Sequence, residues 1–182
     1  ITNINIKLNE NELVDHRLEY FDNVGIFKDM VQSHALSILF KCFPYIFNNT
    51  YIDSLINNSN IDNIIKVLEC IKSQYKGYKG NKTTETYIYL KLEWDSVVVT
   101  IESGKGLKFN TKTITINSLT SREYTIDFSK NTESEYKYLF KSALYNNKKS
   151  FLDITTIKNF WILSDYLWNK IDLTPMSYYD SD

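Results

Sequence analysis

Glu19–Phe40, EYFDNVGIFKDMVQSHALSILF, is the stretch on which the reading of this 182-residue chain turns. Phe27, Met30, Val31, His34, Ala35, Ile38 and Leu39 recur at i, i+3, i+4, i+7 spacing, which predicts one long amphipathic helix. Asp22 or Asn23 is the expected N-cap, with Gly25 just inside. Asp29 then falls in an early turn, where the helix dipole favours a carboxylate. His34, one of two histidines in the chain, lies on the apolar face five residues after Asp29. On an α-helix five residues are about 140° of rotation and ~7.5 Å of rise, so the two side chains do not stack, although they can flank one cleft. The spacing leaves two readings open. One is a core histidine with a local hydrogen-bond partner beside a solvated aspartate; the other is a pair of polar groups sharing a cleft.

Composition narrows the class of protein. The length is that of one domain, and 43% apolar with 15% aromatic residues describes a folded globule. The net charge of −1 and the lack of a long Lys/Arg run argue against a nucleic-acid partner. Cys42 and Cys70 both fall in predicted helices, outside any CxxC or Cys/His cluster, so buried free thiols are expected and a metal site is not. No apolar run approaches the length of a membrane span, and no signal-peptide pattern is present. The chain opens at Ile1 in strand-like sequence, which reads as a fragment or an excised piece.

Along the chain, Ile1–Leu8 alternates Ile4, Ile6 and Leu8 with polar residues and predicts a half-buried strand ending beside Glu10. Pro44–Asn58 is turn-prone. Ile61, Ile64, Ile65, Leu68 and Ile71 share a helical face, which predicts a second helix over Ile61–Ile71, capped by Ser59 or Asn60. Lys76–Lys82 reads as a charged loop. Thr86–Leu92 and Val97–Ile101 alternate around a tight Glu93–Ser96 connection and predict a hairpin. Lys112–Ile116 and Arg122–Ser129 predict two more strands. Glu133–Tyr145 predicts a helix; Asp153 caps a last one, with Ile157, Phe160, Trp161, Ser164, Leu167, Trp168 and Ile171 as its inward face. The sum is a single α+β domain over residues 1–182, a mostly antiparallel sheet of about five or six strands with helices packed on one face.

YFDNVGIFKDMVQSH also resembles the Y-[FY]-D-x-x-G-x-x-x-D-x-x-Q-N-H segment of the glucose-6-phosphate dehydrogenase family. Tyr20, Asp22, Gly25, Asp29, Gln32 and His34 fall in register, and Ser33 replaces an asparagine. Further segments are similar to that family's C-terminal domain. They are the V-L-x-x-I-K run at Val67–Lys72, the tetrapeptide Thr84–Tyr87 and the G-K-x-[LM] strand end at Gly104–Leu107. IDFS at Ile126–Ser129 and Pro175, Met176 and Tyr179 in the tail continue the match.

The resemblance implies roles. His34 takes the position of the general base, a task suited to a side chain whose unperturbed pKa is near neutral. Glu10, twelve residues before Asp22, and Asp29 take sugar-contacting positions, and Lys105 takes that of a substrate-binding lysine. The family's second basic residue is here Asn110, for which Lys112 or Lys108 is the substitute. Tyr136 takes the place of a tyrosine near the sugar phosphate, or else simply packs. The implied function is the substrate-binding part of an NADP-dependent dehydrogenase that oxidises glucose 6-phosphate to 6-phosphogluconolactone, in the pentose phosphate pathway and the cytoplasm. NADP is expected on an N-terminal Rossmann domain absent from this chain, since neither the glycine-rich fingerprint nor the family's R-I-D-H-Y-L-G-K segment occurs. Homo-oligomerisation through the sheet is a further implication. The alternative is a catalytically inactive stand-alone domain that binds a sugar phosphate or a dehydrogenase subunit.

Overall fold

The computed structural model describes residues 1–43, 61–120, 122–129 and 134–181. Strands β1 (Asn3–Asn9), β2 (Ile65–Tyr75), β3 (Tyr87–Trp94), β4 (Val97–Gly104), β5 (Thr111–Asn117), β6 (Glu123–Asp127) and β7 (Met176–Tyr179) form one seven-stranded sheet. Its order is β6-β5-β1-β4-β3-β2-β7. The β1–β4 and β2–β7 pairs are parallel and the other four antiparallel. The fold class is thus as expected, with one or two strands more. Ile1–Leu8, the hairpin and the two later strands all form where alternation places them.

Period-2 alternation decides which sheet face is covered. Ile6 pairs with Ile101 on one side and Ile114 on the other, and Ile101 with Leu90, so one row of buried aliphatic side chains crosses four strands. Each such side chain contributes roughly 1.5–3 kcal/mol of burial. The opposite face carries polar neighbours such as Lys7 and Glu102, which form an ion pair of 3.0 Å. Among the described residues the α-helices are α1 (Leu18–Ile26), α2 (Leu36–Cys42), α3 (Glu135–Leu144) and α4 (Ile154–Asp172), with a π-helical segment, Phe27–Ala35, between α1 and α2. The π segment packs on β1 and β4, and α4 on the π segment, α2 and β2.

Several expectations are corrected. The long helix is three pieces. It starts at Leu18, after a 3-10 turn, without a side-chain cap, and Asp22 and Asn23 lie inside it. It breaks at Gly25, which adopts φ 67°, ψ 172°, a conformation open to glycine at little cost. Six of the seven stripe residues face inward; His34 does not and is exposed.

Ile61–Ile71 is not a helix. A 3-10 turn at Ile61–Asn63 leads into β2. A β-bulge between Val67 and Glu69 shifts the register, so the strand's alternation is interrupted and its apolar residues mimic a helical period. Cys70 therefore lies on a strand and is half-buried, and Cys42, at the end of α2, is exposed; both are free thiols. Asp153 does cap α4, accepting from Thr156 N at 2.9 Å, but Trp161 is 53% exposed. The expected turns of Pro44–Asn58 and the Ser59/Asn60 cap lie outside the described residues.

Candidate functional site

The candidate site forms where the parallel pair β1–β4 ends. Register places Asn9 opposite Gly104, so the next residues of each strand, Glu10 and Lys105, emerge side by side. Backbone bonds fix the two exits together, from Glu10 N to Gly104 O at 2.9 Å and from Leu107 N to Glu10 O at 3.0 Å. Lys105 is buried, its side chain only 8% exposed, and its ammonium is bonded to the Glu10 carboxylate. Asp29 comes from the π segment, with Oδ2 at 4.0 Å from Lys105 Nζ. Its Oδ1 accepts from Arg17 at 3.2 Å and from the Tyr20 hydroxyl at 3.3 Å. Asp29 Oδ2 is buried and receives no hydrogen bond. An orphaned buried carboxylate oxygen is costly unless a ligand or water serves it.

The sequence pattern does not mark Arg17 and Tyr20 as site residues. Their i, i+3 spacing carries the signal: the Arg17 guanidinium lies 5.0 Å from the Tyr20 ring centroid. His16, Glu12 and Arg17 join Glu10 and Lys105 around a recess of about 170 Å³.

The π winding changes the relation between Asp29 and His34. Leu36 N bonds to Val31 O, five residues back, and the Ser33 hydroxyl donates to Lys28 O at 3.3 Å and to Asp29 O. A side chain inserted into the ladder favours a widened turn. With an i→i+5 repeat, residues five apart return to one side of the helix. Asp29 and His34 therefore share a side, which an α-helix would deny them. No described residue hydrogen-bonds the His34 side chain.

The winding is anchored from below by Thr84–Tyr87. Glu85, buried between sheet and helix, accepts from Phe27 N at 3.0 Å through Oε1, and its carbonyl accepts from Ile26 N at 3.0 Å. Burial pushes the Glu85 carboxyl up, with the Phe27 amide pulling partly back. Asp22 accepts from Tyr78, Thr84 and the Asn81 amide at 2.8–3.0 Å. Burial alone would raise the Asp22 carboxyl, but these bonds outweigh it and hold it below the usual range. From the other end of the chain the Tyr179 hydroxyl donates to Lys105 O at 2.6 Å, so β7 clamps the turn that carries the lysine.

Two sequence candidates are not brought in. Tyr136 is 75% exposed on α3, whose main packing partner is the Lys148–Ser150 turn. Lys112, opposite Leu8 at the start of β5, is exposed without an ion pair among the described residues. Asn110 serves the backbone instead, accepting from Asn11 N at 2.8 Å. Among the described residues no group of three His, Cys, Asp or Glu side chains is placed to hold a metal ion. No described helix is long and apolar enough to cross a membrane. The turn leaving β1, Glu10–Val14, has no glycine and its exit is occupied by the Glu10–Lys105 pair, so this turn does not form a glycine-rich dinucleotide cradle.

An open, mostly antiparallel sheet with a broken helix over the ends of β1 and β4 defines an α+β domain. Residues 1–43 match the family described as glucose-6-phosphate dehydrogenase, C-terminal domain. The chain is 34% identical over 123 residues to a glucose-6-phosphate 1-dehydrogenase of Borreliella burgdorferi, covering 52% of this chain and 26% of that one. It is 28% identical over 124 residues to glucose-6-phosphate 1-dehydrogenase 1 of Mycobacterium tuberculosis, covering 59% and 26%. The crystal structure of the Mycobacterium avium enzyme superposes with a TM-score of 0.65 at 18% identity, over 100% of this chain and 52% of that one. A glucose-6-phosphate dehydrogenase solved with its substrate glucose-6-phosphate gives 0.69 at 16% identity, over the same shares. The resemblance to the C-terminal domain of glucose-6-phosphate dehydrogenases is thereby shown, in sequence over about half the chain and in fold over all of it. The chain spans about a quarter of the length of these sequence relatives.

Proposed function

We propose that this chain supplies the substrate-binding domain of a glucose-6-phosphate dehydrogenase and holds glucose 6-phosphate over the ends of β1 and β4. The observation that carries the reading is the buried Asp29 oxygen without a hydrogen bond, 4.0 Å from a buried lysine. A sugar hydroxyl satisfies both groups, donating to Asp29 and accepting from Lys105, while Glu10 takes a second hydroxyl. Fixing the ring this way supplies the orientation that a two-substrate reaction needs. His34, on the side of the helix shared with Asp29, is assigned to take the proton from the C1 hydroxyl.

NADP and its Rossmann domain belong to the same proposal and are assigned to the parent protein outside these residues. Assembly through the sheet belongs to it too, with β6, exposed along its whole length, as the open edge.

The test is titration of the purified chain with glucose 6-phosphate, glucose and phosphate, followed by NMR. Saturable binding of the sugar phosphate that shifts Tyr20 and Lys105 and is lost in Asp29→Asn is the expected result. No binding by the wild-type chain would sink the proposal for the isolated domain.

A second reading, an inactive stand-alone binding domain, is favoured by the exposure of His34 and its lack of an orienting partner among the described residues. Reduction of NADP by the purified chain in the presence of glucose 6-phosphate would exclude it.

A further inference from the structure

A second cavity, of about 580 Å³, opens between the π segment and α4 and shares no lining residue with the recess at Lys105. That volume is in the range of small-molecule sites. One wall is Phe27, Lys28 and Gln32. The other is a single face of α4, where Trp161, Ser164 and Trp168 stand at i, i+3 and i+7. The aromatic rings come in two pairs, Phe27–Trp168 at 5.3 Å and Phe160–Trp161 at 6.3 Å between centroids. Between the pairs the lining turns polar.

Gln32 is 6% and Ser164 2% exposed, and neither side chain is hydrogen-bonded to any described residue. The Gln32 amide and the Ser164 hydroxyl open onto the cavity itself, where a ligand or a water serves them. Lys28 and Asp165 stand at the rim, so the formal charges of the lining cancel. The Lys28 ammonium is already engaged over the Trp168 ring at 5.6 Å.

We infer that this cavity is a binding site for an uncharged planar heteroaromatic ring of the purine type. The ring lies between the two aromatic pairs. Its edge, a ring nitrogen beside an exocyclic amino group, is read by the donor and acceptor of the Gln32 amide, as glutamine reads adenine elsewhere, and Ser164 serves the opposite edge. Stacking on tryptophan supplies the affinity and the amide supplies the selectivity.

The inference does not depend on the sugar-phosphate reading, because the two sites have separate probes and separate reporters. Adenosine is titrated into the full chain and followed by the indole N–H resonances of Trp161 and Trp168. Indole serves as the apolar control and adenosine monophosphate as the charged one. Saturable adenosine binding that shifts both indoles, weakened about tenfold or more by Gln32→Leu with indole binding unchanged, is the expected result. Equal preference for indole would show a purely apolar cavity and overturn the inference, as would tighter binding of the monophosphate or no saturation. Should Gln32→Leu not fold, the wild-type titration decides: adenosine shifts confined to residues other than Trp161, Ser164 and Trp168 overturn it equally.

Discussion

The Glu85 carboxylate occupies the space that a side chain on Gly25 would need, and from there it accepts the hydrogen bond of Phe27 N at 3.0 Å. One residue from the loop before β3 thus both dictates glycine at the break and starts the π segment that carries Asp29 and His34. Gly25→Ala meets the carboxylate and a positive φ at once. It is expected to lower stability by at least about 2 kcal/mol, measured by urea denaturation. A neutral effect would mean that the break forms without this contact.

Glu85 itself titrates in the unfavourable sense for stability at neutral pH. Burial raises its folded pKa above the ordinary value for a glutamate. Its contribution is therefore fully present below about 4.5 and is lost as pH rises through the folded value. Glu85→Gln keeps an acceptor for Phe27 N without the buried charge, so it gains on the wild type between pH 4.5 and neutrality. Glu85→Ala leaves the amide unpaired and costs about 1–3 kcal/mol. Denaturation series across pH for the three proteins separate these outcomes.

Breaking the Glu10–Lys105 pair strands a carboxylate beside Asp29. Lys105→Met is expected to cost about 3 kcal/mol, the lower end for a buried pair because Glu10 retains some water contact. Adding Glu10→Gln recovers part of the loss, and a double-mutant cycle reads the coupling. Additive single effects would mean that the pair is incidental.

Binding and chemistry separate at Asp29 and His34. Asp29→Asn is expected to weaken glucose 6-phosphate binding about tenfold or more, the worth of a hydrogen bond to a charged group. His34→Asn leaves binding within a few-fold and, in the full-length parent, abolishes nearly all turnover. Turnover within a few-fold of wild type in that variant removes the general-base assignment.

The hairpin offers a simpler test. Asp95 and Ser96 have φ of 45° and 70°, as both central residues of a type I′ turn must. Ser96→Gly relieves the left-handed strain and is expected to raise stability by about 1 kcal/mol, seen as a higher denaturation midpoint.

Sequence by itself determined five of the seven strands, because alternation at Ile4, Ile6 and Leu8, or at Ile88, Leu90 and Leu92, has one physical reading: one face buried, one not. It determined the Asp153 cap and the inward stripe of Phe27–Leu39 for the same local reason, and the motif register named Glu10, Asp29 and Lys105 before any of them could be seen together. Three things were decided only by tertiary structure. β2 is a strand because β3 and β7 pair with it, while its bulge hides the period. The helix breaks at Gly25 because Glu85, sixty residues on, fills the space beside it. Asp29 and His34 share one side because the ladder there is wound in π turns, for which five-residue spacing has no signature of its own. Local pattern reports burial and propensity; the winding of a helix, and the choice of what a strand pairs with, are settled by partners far along the chain.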